Sequence, residues 1–335
     1  MKTALVIGAS GGVGGEVAAA LLKRGWRVKA LNRNPTAAAK RRPDLHHQWV
    51  AGDAMRPADV VAAARSTDLI FHGANPPGYQ NWPGTVVQML DATITAARAS
   101  GARILFPGTV YNYGPDAFPL LREDSLQHPR TRKGQLRVTM EKRLEDATTY
   151  GVRSVIVRIG DFFGPRAANN WFSQGLVTPG KPVTRILYPG SLKIGHSWGY
   201  LPDVAETMVR VIEADDRLET FDRFHMRGHW FTQGGELVHS IRRVVEREVP
   251  VWRLPWFAVG AMSPFVPLFR EMYEMRYLWQ QPLQLDNSKL QALIGSEPHT
   301  PIDEAVRTTL RALSCLAAGR SVVPDAKAPE QKRYA

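Results

Sequence analysis

The fold is decided by the first stretch of the chain, Thr3-Ala4-Leu5-Val6-Ile7-Gly8-Ala9-Ser10-Gly11-Gly12-Val13-Gly14. Its five apolar residues predict a buried parallel strand, and residues 16–24 predict the helix that follows. Gly8 allows a tight turn between them, Gly11 lets backbone approach a pyrophosphate, and Gly14 lets the helix pack closely on the sheet. The stretch therefore predicts a dinucleotide-binding loop, to which we assign Gly8, Ser10, Gly11, Gly12, Val13 and Gly14.

Strand-like and helical segments alternate from this loop as far as Arg158. Further strands are predicted at 27–31, 48–51, 68–72, 103–106 and 153–158, and further helices at 59–65, 82–100 and 134–149. Such alternation requires right-handed crossovers and a parallel sheet. Six strands in this order predict an α/β protein with a doubly wound parallel sheet, a Rossmann domain over residues 1–165.

The pattern changes after Gly160, where prolines, aromatic residues and short strand candidates follow. We predict a smaller C-terminal substrate domain over 166–318, with segments near 195–225 returning to the first domain. A helix is predicted at 203–214 with Asp203 as its N-cap, a strand at 221–231, and an amphipathic helix at 237–248. The basic residues 319–335 predict a disordered tail.

The uncharged run at 254–269 is too short for a membrane span and is broken by three prolines, so we interpret it as buried protein. The aromatic-rich stretch 252–279 that contains it is interpreted as substrate-domain core, with an apolar substrate pocket or a partner surface as alternatives.

The composition is that of a globular protein, 44% hydrophobic and 22% charged. A single cysteine, Cys315, excludes an intramolecular disulfide and any CxxC site, and with no apolar signal segment we expect a cytoplasmic protein. The net charge is +12, but no nucleic-acid-binding motif accompanies the basic clusters, so we expect no nucleic acid and no membrane as partners. His225 and His229 could share one strand face but lack an acidic or cysteine partner, and no metal is expected.

The residues after the second predicted strand bear on which dinucleotide binds. An NAD site usually places an acidic side chain there for the ribose 2′-hydroxyl, whereas this chain has Asn32-Arg33. A neutral Asn32 removes charge repulsion, Arg33 can clamp a 2′-phosphate, and Ser10 could add a hydrogen bond. We therefore predict NADP(H) as the cofactor in preference to NAD(H).

Several further motifs, in their order along the chain, resemble one known family. They are Gly52-Asp53, Phe71-His72-Gly73-Ala74, Pro107-Gly108-Thr109-Val110-Tyr111 and Gly199-Tyr200-Leu201-Pro202-Asp203-Val204-Ala205. With the glycine loop they are similar to the extended short-chain dehydrogenase/reductases, the group that contains the NAD(P)-dependent epimerases and dehydratases. The resemblance implies that Thr109 holds the catalytic serine/threonine position. It also implies that Asp53 hydrogen-bonds the adenine amino group. Further cofactor contacts are implied at Ala54, Gly73, Ala74 and Asn75.

The Tyr-x-x-x-Lys pair on which that family's proton chemistry depends is missing. The two residues share one helical face, and a glutamate often follows the lysine by four positions, as Glu141 does here. This alignment places Lys133 at the tyrosine position and Arg137 at the lysine position. No tyrosine between Tyr113 and Tyr150 restores the motif.

Two interpretations of Lys133 and Arg137 stay open. In the first, burial and the Arg137 cation favour the neutral amine of Lys133, which then acts as general acid or base. Arg137 cannot give up its proton and would only hydrogen-bond the ribose. In the second, both are solvated charges on a helix that has lost catalysis. Tyr111 and Tyr113 are rival candidates for the proton donor, since either ring could line the substrate pocket.

The sequence as a whole predicts an oxidoreductase or epimerase that binds NADP(H) and transfers hydride at a carbonyl or alcohol carbon of a small molecule. Thr109, Lys133, Arg137 and Tyr111 are the candidate catalytic residues. A non-catalytic NADP(H)-binding sensor or partner protein is the alternative. A homodimer is expected by analogy with the family.

Overall fold

Strands and helices alternate through the first half of the chain, as predicted. The computed structural model describes residues 1–45, 47–75, 82–167 and 170–316, without the side chains of Trp82, Pro83 and Pro267. The strands are β1 (Thr3–Ile7), β2 (Arg27–Asn32), β3 (Gln48–Ala51), β4 (Leu69–His72), β5 (Arg103–Gly108), β6 (Leu120–Leu121), β7 (Ser154–Arg158), β8 (Asp161–Phe163), β9 (Ile186–Tyr188), β10 (His196–Tyr200), β11 (Phe221–His225), β12 (His229–Phe231), β13 (Val251–Arg253) and β14 (Gln284–Leu285).

Helices cover both faces of the sheet and build most of the C-terminal part. They are α1 (Gly12–Lys23), α2 (Pro35–Arg41), α3 (Pro57–Ala63), α4 (Trp82–Ser100), α5 (Arg132–Asp146), α6 (Leu201–Glu213), α7 (Gly235–Val245), α8 (Trp256–Met262), α9 (Pro267–Glu274), α10 (Ser288–Ile294) and α11 (Ile302–Ala312).

The central sheet confirms the predicted doubly wound α/β class. Within the described residues it has seven strands in the order β3-β2-β1-β4-β5-β7-β11, and every neighbouring pair is parallel. The chain order reverses between β1 and β4. In such sheets a crevice for ligands opens at the carboxyl ends of the strands at this reversal.

Alternate residues of β1 enter the cores on the two faces of the sheet, as the two-residue period of a strand requires. Ala4 and Val6 belong to the core that α1 and α6 cover. Leu5 and Ile7 belong to the core that includes residues of α3, α4 and α5. This burial on both faces explains why the strand reads as a continuous apolar run.

The C-terminal part has its own core and a small sheet. Strands β12, β10 and β8 form that sheet, with β10 parallel to β8 and antiparallel to β12. Its core is rich in aromatic side chains, among them Phe163, Trp198 and Trp279. Strand β11 leaves this part and pairs with β7, so the chain returns to the central sheet.

Three local predictions differ from the structure. Residues 221–231 form two strands in different sheets rather than one, so His225 and His229 share no strand face. Asp203 is not the N-cap of α6: Tyr200 is, and the Asp203 carboxylate accepts hydrogen bonds of 2.7 Å from the backbone and hydroxyl of Thr300. Helix α2 was missed, although Asn34 caps it and Pro35 starts it.

The prediction that residues 254–269 are buried is wrong. They form α8 and the start of α9, with Phe257 84% exposed and Phe265 78% exposed. The apolar composition misled because it is equally compatible with an exposed apolar surface. Among the described residues, no helix is both long and apolar enough to cross a membrane. The predicted tail at 319–335 lies outside the described residues.

Candidate functional site

The loop between β1 and α1 can be built only with glycine at its two ends. Gly8 has a φ of +97°, and a Cβ there would lie 2.6 Å from the carbonyl oxygen of Gly73, which follows β4. A Cβ at Gly14 would lie 2.4 Å from the carbonyl oxygen of Gly8. Both distances are shorter than real contacts allow, so the glycines let the loop, the helix and the β4 end meet.

The amino end of α1 is arranged to receive an anion. Gly11 is the N-cap and offers no side-chain acceptor to the amides of the first turn. No acidic residue lies in that turn. The helix therefore directs its amides and its positive dipole end to the crevice where β1 and β4 end, which fits a pyrophosphate.

At the end of β2, the Asn32 side chain has a structural role in the turn. Its side-chain oxygen accepts a hydrogen bond of 2.9 Å from the Asn34 amide and so shapes the turn into α2. Arg33 is exposed beside it. Sequence reasoning missed Arg42, whose guanidinium lies 3.4 Å from the Ala9 carbonyl oxygen of the glycine loop. Hydrogen bonding from Arg42 lowers the pKa of Asp44, so that carboxyl holds the guanidinium as an ion pair.

Asp53 and Ala54 lie in the turn between β3 and α3. The Asp53 carboxylate accepts a hydrogen bond of 3.0 Å from the Met55 amide, and its own amide donates to Asp59. Asp53 therefore stabilises this turn. Its contact with adenine stays a prediction.

A cavity at the carboxyl ends of β4, β5 and β7 brings together residues far apart in sequence. Its walls include the turn 108–111 and residues 159, 160 and 162. The predicted site residues that line it are Val13, Gly73, Ala74, Asn75, Thr109, Tyr111 and Arg137. We refer to it as the cofactor cavity.

A second pocket adjoins it and is closed on one side by α9. Tyr111 and Phe162 line both spaces. Lys133 lines the second pocket, whereas Arg137, one helical turn later, lines the cofactor cavity. The two residues predicted to hold the dyad positions thus face two different spaces. We refer to the second one as the substrate pocket.

The first turn of α5 is held tightly against the turn that carries Tyr111. The Thr131 hydroxyl caps the helix by accepting from the Gly134 amide at 3.0 Å. A Cβ at Gly134 would lie only 2.2 Å from the Tyr111 carbonyl oxygen. The glycine after Lys133 therefore permits the approach that brings Lys133 and Tyr111 into one pocket.

Lys133 has a charged partner that the sequence did not reveal. Its Nζ lies 2.7 Å from a carboxylate oxygen of Glu271 on α9, and the lysine side chain is 9% exposed. The two side chains form an ion pair between α5 and α9 at the wall of the pocket. The first interpretation of Lys133, which rests on burial and on Arg137, does not include this carboxylate, and a general acid or base at Lys133 stays a prediction.

Arg137 reaches the floor of the cofactor cavity. Its guanidinium carbon lies 5.5 Å from the centre of the Phe106 ring, and Nη1 donates to the Pro107 carbonyl oxygen at 3.5 Å. The cation is fixed against the end of β5 and is in place to meet a polar group in the cavity.

A buried ion pair fixes the backbone at Thr109. Arg158 is fully buried, and its Nη2 lies 2.7 Å from a carboxylate oxygen of Glu141, which is 2% exposed. The same guanidinium donates to the Thr109 carbonyl oxygen and, from Nε, to the His225 imidazole at 3.2 Å. Through this ion pair, Glu141 connects α5 with the turn that carries Thr109.

Tyr113 does not reach the substrate pocket, in contrast to the expectation for it. Its ring is fully buried, and its hydroxyl lies 3.3 Å from the His225 imidazole. Burial raises the pKa of the phenol, which therefore stays protonated. Of the two candidate tyrosines, only Tyr111 lines the pocket.

Asp161 and His196 were also missed. Asp161 lines the substrate pocket, and its carboxylate lies 2.7 Å from His196 Nε2. The imidazole stacks on Trp279 with ring centres 4.0 Å apart. Strands β8 and β10 are neighbours in the small sheet, and this pairing brings the two residues together. Among the described residues, no group of three or more His, Cys, Asp or Glu could hold a metal ion.

His72 and His225 make the stability of the site depend on pH. His72 is buried, and its Nδ1 lies 2.7 Å from the Thr93 hydroxyl. Burial, with nearby arginines adding to it, lowers the pKa of each imidazole to about 3. Each is neutral when folded but binds a proton when unfolded below about pH 6.5. We expect the free energy of unfolding to fall by about 2 kcal/mol for each histidine between pH 6.5 and 5.

Chemical denaturation across this pH range, on the protein and on His225→Gln, checks that expectation. The variant should lose less stability on acidification, because one proton-linked group is gone. His239→Gln, which changes an exposed histidine, is the matched control. An identical pH profile in all three proteins would contradict the assignment.

The fold and the loop define a Rossmann protein whose crevice accepts a dinucleotide. The model of the NAD-dependent epimerase/dehydratase family matches residues 4–226. The chain therefore belongs to this family of enzymes that use a nicotinamide dinucleotide, as the resemblance predicted. No curated protein sequence matches the chain.

Solved structures share the whole fold at low identity. The UDP-glucose 4-epimerase of Brucella ovis in complex with NAD has 18% identity and a TM-score of 0.70, covering 94% of this chain and 99% of that one. The UDP-glucuronic acid 4-epimerase of Bacillus cereus, with UDP-glucuronic acid and NAD, has 15% identity and a TM-score of 0.71, covering 93% and 98%. The UDP-glucose 4-epimerase of Stenotrophomonas maltophila, with NAD and formylated UDP-arabinopyranose, has 14% identity and a TM-score of 0.73, with the same coverage.

Proposed function

We propose that this enzyme is an oxidoreductase or epimerase that transfers hydride between NADP(H) and a carbonyl or alcohol carbon of a small molecule. The observation that carries the proposal is the junction at Tyr111, where the cofactor cavity meets the substrate pocket. Thr109 lies on one side of this junction and Lys133 on the other. The sugar nucleotides held by the solved relatives support a small-molecule substrate.

The residues of the first cavity fit a dinucleotide. The loop leaves no room for a Cβ at Gly8 or at Gly14, and the amides of α1 would hold the pyrophosphate. Gly73, Ala74 and Asn75 border the cavity where the nicotinamide half would lie. When bound there, the dinucleotide supplies or accepts the hydride.

The preference for NADP(H) rests on the chain's own residues around the end of β2. Arg33 is exposed and follows a neutral Asn32 where an NAD site has an acid. Arg42 brings a second guanidinium to the adjacent glycine loop. Two arginines at this place favour a 2′-phosphate over a hydroxyl.

Arg33→Asp should reverse this preference. We expect the affinity for NADPH to fall by about tenfold or more, because a charge-assisted contact becomes a repulsion, whereas NADH should change by less than about threefold. Titration of the nucleotide's fluorescence measures both affinities. Arg27→Asp, at the opposite end of the same strand, is the matched control. Equal losses for NADPH and NADH would refute the 2′-phosphate contact.

The proton is assigned to Lys133. Its ammonium gives a proton to the substrate oxygen as the carbonyl is reduced, and the amine takes one back when an alcohol is oxidised. Glu271 holds the ammonium and is 28% exposed, so it connects Lys133 with solvent for reprotonation. The Thr109 hydroxyl orients the same oxygen, and Tyr111 is the rival proton donor.

A spectrophotometric assay tests the proposal. The protein is supplied with NADPH and a panel of aldehydes and ketones, and nucleotide absorbance is followed while products are resolved by chromatography. Net consumption of NADPH identifies an oxidoreductase. Interconversion of stereoisomers with bound nucleotide and no net consumption identifies an epimerase. Nucleotide binding with neither result across the panel would favour the non-catalytic sensor.

A further inference from the structure

The walls of the substrate pocket are mostly apolar. Phe162, Trp171, Met272 and Met275 contribute to them, and methionine side chains adapt to irregular apolar ligands. Leu268 also lines the pocket yet is 56% exposed, which places it at the mouth. Phe257 on α8 and Phe265 in the turn between α8 and α9 are exposed apolar rings as well.

The charges of the pocket are predominantly negative. Among its described lining residues, Asp161 and Glu271 are acids and Lys133 is the one cation. Glu271 already engages that cation at 2.7 Å. An anionic substrate would have to displace Glu271 from Lys133 and lie beside two carboxylates, and such like-charge contacts are costly.

A buried histidine holds the Asp161 carboxyl group in place. His196 donates from Nε2, and its buried Nδ1 has no hydrogen-bond partner among the described residues. The carboxylate is therefore oriented by this contact and can accept a hydrogen bond from a hydroxyl in the pocket.

We propose that the substrate is an uncharged, mainly apolar alcohol or ketone, and that Asp161 and Glu271 exclude phosphorylated and carboxylated compounds, sugar nucleotides included. This proposal rests on the proposed function for the identity of the pocket. The apolar walls supply the affinity and the two carboxylates supply the discrimination.

A matched pair of ketones tests it. Calorimetry on the protein saturated with NADP+, which cannot reduce a ketone, compares 4-phenylbutan-2-one with 4-(3-oxobutyl)benzoate, which differs by one carboxylate. We expect the uncharged ketone to bind at least about tenfold more tightly. Glu271→Gln should reduce the ratio of the two affinities, because it removes one carboxylate and releases the Lys133 ammonium. Glu274→Gln, on the same helix but outside the pocket lining, should leave it unchanged.

The outcomes separate this inference from the proposed function. Selective binding of the uncharged ketone, without turnover when NADPH is supplied, supports the substrate class and refutes hydride transfer on this compound. Equal or tighter binding of the benzoate overturns the inference, as does binding of UDP-glucose in place of the ketone. Absence of binding by the uncharged ketone overturns it as well.

Discussion

Lys133→Met should lower kcat by about 100-fold or more on any ketone that the enzyme reduces, while the Kd for NADPH stays unchanged. The reason is that the variant removes the proposed proton donor from the substrate pocket, and general acid catalysis contributes about 10²–10⁴-fold. Arg137 and Val13, which line the cofactor cavity, are left in place. Steady-state kinetics and nucleotide titration provide the two measurements.

Two further variants show what Lys133 contributes. Lys133→Arg keeps a cation beside Glu271 but cannot release its proton, so it should remain as inactive as Lys133→Met. Recovery of kcat by arginine would mean that only the charge matters. Lys142→Met changes a lysine of the same helix that is 70% exposed, and it should behave as the unchanged enzyme. If Lys133→Met keeps kcat within about threefold of the original value, the role of proton donor passes to Tyr111.

Arg158→Met should destabilise the protein by about 3–5 kcal/mol, the largest stability effect expected for a single substitution here. It leaves the buried Glu141 carboxylate without its cation and removes the donors to the Thr109 carbonyl and to His225. The shift of the urea unfolding midpoint measures this loss of stability, provided that the m-value is unchanged.

The double variant Arg158→Met/Glu141→Leu tests whether the loss of stability comes from the carboxylate left without its cation. Removing the orphaned carboxylate should restore most of the lost stability, since an apolar pair of similar size avoids the cost of a buried charge. Arg143→Met breaks an ion pair with Asp91 on the surface, where both side chains are nearly half exposed, and should cost less than about 1 kcal/mol. Equal losses in Arg158→Met and Arg143→Met would contradict the role of burial.

Local patterns were sufficient for the fold and for the phosphate loop. The run Thr3–Ile7 is buried on both faces of a parallel sheet, and such a strand must be apolar throughout. The glycines at 8 and 14 are dictated by contacts within a few residues of the loop and by the adjacent β4 end. Patterns also failed where they were ambiguous, because an apolar run such as 254–269 describes a buried segment and an exposed apolar surface equally well.

The chemistry of the site depends on contacts between segments that are distant in sequence. Tyr111 and Tyr113 are two residues apart, yet the turn between them sends one ring to the substrate pocket and the other to the core beside His225. Nothing in their spacing distinguishes them. The orientation of each ring is set by the elements that pack against it.

The sequence by itself determined the parallel sheet, the dinucleotide loop and the absence of the tyrosine–lysine pair, because each is expressed in neighbouring residues through periodicity, backbone freedom or spacing. Only the tertiary structure decided that Lys133 meets Glu271, that Asp161 meets His196, and that Arg137 faces a different space from Lys133. These pairs are made by the packing of α9 over the pocket and by the pairing of β8 with β10. Side-chain charges act over a few ångströms of space, and no local pattern records which segments come that close.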